Sequence, residues 1–131
     1  MLLVIAIAAL AIASCKKDEE VNTTLAAVDF FTAELISRIE TAANPSAGVD
    51  DARRYFDLTK PEIVSRMTAL RSVPGYQVSD ATKEKMTSRL VDDSSRVGGL
   101  QVKYASQSMN DPEFKARLDK LVKDYQSLFR E

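Results

Sequence analysis

The chain has 131 residues, 18 basic and 19 acidic side chains, a single cysteine, and neither histidine nor tryptophan. That length suits one domain with a single core, and a net charge of −1 spread along the chain leaves no basic stripe for nucleic acid. The lack of histidine removes haem ligation through histidine, the Glu-x-x-His di-iron motif, most zinc sites and histidine-based triads, so no cofactor, no metal and no enzymatic role is expected.

The chain opens on an unbroken apolar run from Leu2 to Ala13. As a helix it would span about 18 Å at roughly 1.5 Å per residue. A bilayer core needs about 20 residues, so the run fits the apolar segment of a signal peptide better than a membrane span. It ends in Ile12-Ala13-Ser14-Cys15, small residues leading to the sole cysteine. This stretch resembles the lipobox of bacterial lipoproteins. The resemblance implies that residues 1–14 are a signal peptide cleaved between Ser14 and Cys15. It further implies that the Cys15 thiol receives a diacylglycerol and the new α-amine a fatty chain such as palmitate. Two or more acyl chains hold a protein stably at a bilayer, where one alone holds it only marginally. The membrane is therefore an expected partner, reached through lipidated Cys15.

Behind the cysteine stands Lys16-Lys17-Asp18-Glu19-Glu20. Lysine at the second mature position is unlike the aspartate that retains lipoproteins in the inner membrane, so the outer membrane is the expected location. A lysine followed by acidic residues also looks like the signal that carries some lipoproteins to the cell surface. A solvated, self-repelling tether is an equal reading, and both faces of the outer membrane stay open. Residues 15–23 are thus expected to be the lipidated cysteine and a disordered polar tether, with a helical domain over 24–131.

The first helix is predicted to start near Asn22-Thr23-Thr24, each a capable N-cap. Its stripe, Leu25, Val28, Phe31, Leu35, Ile39 and Ala42, follows the spacing of three and four of one helix face. The turn-forming cluster Asn44-Pro45-Ser46-Ala47-Gly48 is expected to end it. A second helix opens at Asp50 or Asp51 with Ala52, Phe56, Ile63, Met67 and Leu70 on its inner face. Pro61 predicts a kink or a short break, with Thr59 and Glu62 at capping-box spacing around it. Val73-Pro74-Gly75 marks a turn, and Ser79-Asp80 caps the third helix. Its stripe is thinner: Met86, Leu90, Val97, Leu100 or Gln101, and Tyr104, with Ser94 facing inward. Gly98-Gly99 predicts a kink, a close helix approach or a hinge. Asn110-Asp111-Pro112-Glu113 restarts the chain, with Asp111 as N-cap and Pro112 at the first helical position. The last helix carries Phe114, Leu118, Leu121, Tyr125 and Leu128 inward, and Glu113–Arg117 and Asp119–Lys123 as outer pairs.

Four amphipathic segments joined by short turns predict an all-α fold, a small antiparallel helical bundle of four helices with up-down connections. A three-helix arrangement with an extra piece over 50–58 is the alternative. Asp50-Asp51 and Asp92-Asp93 are candidate acid pairs, although neighbouring helical residues point about 100° apart and do not converge. Arg53-Arg54-Tyr55 with Arg66 and Arg71 reads chiefly as a solvated face. Tyr76 is the best candidate for an exposed aromatic contact, with Phe30 and Phe129 next. The function expected is a non-enzymatic envelope lipoprotein that binds an envelope protein partner or serves as a spacer. The alternative is a carrier of a small apolar ligand between the helices.

Overall fold

The computed structural model describes residues 17–130, and among them there is no strand. Helix α1 runs Asp18–Glu40, α2 Pro45–Arg71, α3 Asp80–Lys103, α4 Ala105–Asn110 and α5 Pro112–Ser127, with a single 3₁₀ turn at Gly75–Gln77. The all-α bundle is as predicted. Its helix boundaries differ from the sequence expectation at four places, each for a local reason.

Helix α1 begins six residues before Thr24, so the predicted tether over 18–23 is helical. Asp18, Glu19 and Glu20 fill its first turn, where negative charge opposes the helix dipole, and Val21 is only 2% exposed in the core. The cluster at Asn44-Pro45 starts α2 instead of merely ending α1. Asn44 Oδ1 accepts the Ser46 N–H at 2.8 Å, and Pro45 takes the first helical position, where its missing N–H costs nothing. Gly48 then lies under α1, where an added Cβ would sit 2.9 Å from Ala42 Cβ, Arg38 O and Ile39 Cα. Only glycine lets the two helices approach this closely.

Pro61 does not break α2, and no three-helix alternative with a separate piece at 50–58 forms. Asp57, Leu58, Lys60 and Pro61 lie on the outer side, so the Asp57 carbonyl that loses its donor faces solvent. The stripe Ala52, Phe56, Ile63, Met67 and Leu70 keeps its phase across the proline and is buried throughout. The third segment divides instead. Helix α3 stops at Tyr104, whose ring meets Phe114 edge-on at 6.0 Å, and the short α4 follows. Asp111 then accepts the Phe114 N–H at 2.9 Å and caps α5, with Pro112 first in the helix as predicted.

Helix α1 packs on α2 and α3, and α5 packs on the same two. Cross-links give the directions. Asn22 meets Lys85, Asp29 meets Arg89 and Glu40 meets Lys103, so α1 and α3 run parallel. Asp50 meets Arg117, Arg53 meets Asp124 and Arg71 meets the Leu128 carbonyl, so α2 and α5 run parallel too. Consecutive long helices are antiparallel, but the link over 72–79 crosses one end of the bundle on its diagonal. At about 3.3 Å per residue it is long enough to do so. At the centre, Phe31 touches Tyr55, Phe56 and Tyr125 with ring centroids 5.7–5.9 Å apart. This aromatic hub ties α1 to its diagonal partner α5.

Candidate functional site

Of the predicted anchor residues, Ser14, Cys15 and Lys16 lie outside the described residues. The charged residues behind them are built into the bundle. The Lys17 N–H donates to the Gln77 carbonyl at 3.3 Å, and its ammonium pairs with Glu20 at 2.7 Å. The Asp18 carboxylate accepts both the backbone N–H of Ser79 at 2.9 Å and its hydroxyl at 2.7 Å. Ser79 is itself the N-cap of α3, with Oγ taking the Thr82 N–H at 3.2 Å. One carboxylate thus joins the starts of α1 and α3.

A second polar site lies inside the bundle. Thr32 donates to the Val28 carbonyl at 2.8 Å, which uses its only proton, so the buried Tyr125 hydroxyl donates to Thr32. Burial pushes the Tyr125 phenol well above its ordinary range. Asp93 is 2% exposed. Its Oδ1 accepts from Arg96 at 2.9 Å, while Oδ2 receives no donor among the described residues. Burial, and then the Asp29 carboxylate beside it, push Asp93 up from 3.8 to about 6 against the pull of Arg96. The protonated acid can donate to Asp29, which the ionised form cannot. Sequence reading took Ser94 as the inward residue and Asp93 only as half of an acid pair that does not converge. The signal was present, because Asp93 stands seven residues after Met86, four before Val97 and seven before Leu100.

Most of the remaining charged candidates are tied in pairs, while Asp92 is exposed. Asp50 binds Arg117, which also reaches Ser46. Asp51 binds Arg38, whose guanidinium lies 4.4 Å over the Tyr55 ring. Arg117 therefore crosses to α2 instead of pairing with Glu113, and Asp119 takes Lys115 and Gln101 instead of Lys123. Arg117–Asp50 and Gln101–Asp119 thus cross between helices, whereas the local pair Lys115–Asp119 belongs to a kind that stabilises by only about 0.2–0.5 kcal/mol. Arg53 pairs with Asp124 and Asp57, and Arg66 with Glu62, so these cations do not converge on one anion. Among the described residues, no three acidic or cysteine side chains are placed to hold a metal ion, and no helix is long and apolar enough to cross a membrane.

Space between helices opens where the third stripe is thin. A groove of about 480 Å³ runs between α3 and the end of α5, with Leu90, Val91 and Phe129 as its apolar walls and Gly98 and Gln126 at its floor. It is open along its length, whereas the core side chains are buried. Tyr76 is 81% exposed, as expected of the turn, and Phe30, Leu58, Val102 and Met109 also stand out of the surface. Comparison of the chain with family models, curated proteins and solved structures returned no match.

Proposed function

We propose that this protein is a non-enzymatic lipoprotein of the cell envelope, anchored at the outer membrane through Cys15, whose helical bundle binds a protein partner. The observation that carries the anchor is the position of the sole cysteine, at the end of Ile12-Ala13-Ser14-Cys15 after an apolar run too short to span a bilayer. Partner binding is supported by the large apolar side chains Phe30, Leu58, Val102 and Met109, which stay exposed while the core residues are buried. Intact mass of the membrane-extracted protein tests the anchor. A chain beginning at Cys15 and carrying diacylglyceryl and acyl groups is expected; retained Met1 or an unmodified thiol overturns the reading. Protease treatment of whole cells then gives the face, since digestion places the bundle outside and survival places it in the periplasm.

The groove beside Gly98 favours a second reading, a carrier of a small apolar molecule. Its volume lies in the range of small-molecule sites, although such sites enclose most of their ligand and this one is open. Organic extraction of the purified protein followed by mass spectrometry separates the two. A stoichiometric apolar compound supports the carrier, and a ligand-free protein supports the partner-binding bundle.

A further inference from the structure

We propose that the end of the bundle formed by Lys17 and the 72–79 link rests directly on the lipid surface, with Tyr76 seated among the headgroups. This rests on the lipoprotein reading of Cys15 and says what that anchor does to the folded domain. Two peptide units separate Cys15 from Lys17, and each residue spans at most about 3.6 Å, so the acylated cysteine lies within roughly 7 Å of Lys17. Lys17 is no free spacer. Its N–H is bonded to Gln77, and Asp18, the first residue of α1, is bonded twice to Ser79. The acyl chains therefore leave the bundle beside the link, and no length of tether remains to lift that end away.

What the end presents fits a headgroup layer. Residues 72–79, Ser-Val-Pro-Gly-Tyr-Gln-Val-Ser, carry no charge, and Tyr76 projects from them with most of its surface exposed. Tyrosine suits the boundary between water and acyl chains because its ring is apolar and its hydroxyl polar. Of the cations around it, Lys17 is paired with Glu20 and Lys83 with Asp80, while Arg71 donates to the Leu128 carbonyl and Arg130 is exposed. The link itself therefore offers an aromatic contact and no charge. Met109, also exposed, sits at the opposite end of the bundle, about 30 Å away along helices that rise 1.5 Å per residue.

The chain has no tryptophan, so a single introduced indole reports its own surroundings. Tyr76→Trp and Met109→Trp would be produced as the full chain in a lipoprotein-processing bacterium, checked by intact mass, and reconstituted in phosphatidylcholine vesicles with brominated acyl chains. The expected result is blue-shifted emission at position 76, quenched severalfold more strongly than at position 109. With Cys15 acylated, water-like emission at position 76, or equal quenching at both positions, overturns the contact and leaves the anchor standing. A chain whose Cys15 carries no lipid overturns the anchor and the contact together.

Discussion

Helices α1 and α3 lie side by side, nearly equal in length, and reach the same core by different means. Helix α1 buries Val21, Leu25, Val28, Phe31, Leu35 and Ile39, an apolar residue at almost every inward position. Helix α3 buries only Val97 and Leu100 of this kind, and its other fully buried positions are Thr82 and Asp93. Burial of apolar area holds α1, whereas α3 is held at its start by Ser79 and Asp18 and along its length by Lys85–Asn22, Arg89–Asp29 and Lys103–Glu40. The open groove is the consequence, because a helix with few large inward side chains cannot fill the space against α5. Truncation tests the contrast most severely. Phe31→Ala removes the hub of the aromatic cluster and is expected to cost about 3–5 kcal/mol in urea unfolding. Leu90→Ala, on the groove wall, is expected to cost well under half of that. Equal losses would mean that α3 is packed as firmly as α1.

The α1–α2 corner is the tightest point of the well-packed half. A methyl group at Gly48 meets α1 backbone as well as the Ala42 side chain, and backbone cannot swing aside. Gly48→Ala is therefore expected to destabilise by about 1–3 kcal/mol, despite the better helix propensity of alanine. A rise in melting temperature would show that the two helices part there without loss.

The polar half should respond to pH. Because the folded chain holds the Asp93 proton up to about 6 and the unfolded chain only to 3.8, the folded state binds more protons between these values. The contribution to stability is complete below 3.8 and is lost as pH rises through about 6. At neutral pH an ionised Asp93 beside Asp29 strains the bundle. Asp93→Asn keeps an acceptor for Arg96 and supplies an amide donor for Asp29. It is expected to stabilise by about 1–2 kcal/mol at pH 7.5, and less at pH 4. Equal shifts at the two pH values would place the Asp93 proton elsewhere.

The same contrast explains what the sequence disclosed. Where apolar residues recur at helical spacing, as in α1, the two faces of Pro61 and α5, the stripe alone located the core. It was misleading where a polar residue had two readings. Asn44-Pro45 serves equally as a helix end and a helix start, and the acids at Asp18–Glu20 suit a tether as well as a first turn. Propensity cannot choose between these; contacts with Gln77 and Ser79, distant in sequence, do. Asp93 was hidden for a related reason, since an ionisable residue in phase with the stripe is normally assigned to the surface. The diagonal link left no trace in the pattern, because helix order around a bundle depends on which faces meet.

The smallest expected effect separates two adjacent residues. Gly98 and Gly99 are both inside α3 and are one pair in the sequence, but they face different surroundings. A Cβ at Gly98 would stand 3.3 Å from the Gln126 side-chain nitrogen, under the groove. A Cβ at Gly99 would meet nothing within 4 Å. Replacing Gly99 by alanine therefore removes backbone freedom from the unfolded chain without creating a clash, and should stabilise by about 0.5–1 kcal/mol. Gly98→Ala gains the same propensity but pushes the Gln126 amide outward, so a smaller gain and a narrower groove are expected. If Gly99→Ala instead weakens the protein, that turn of α3 bends in solution, and the pair is a hinge in the less firmly packed half. If it strengthens the protein while Gly98→Ala also abolishes a co-purifying ligand, the space against α5 is the reason glycine stands at position 98.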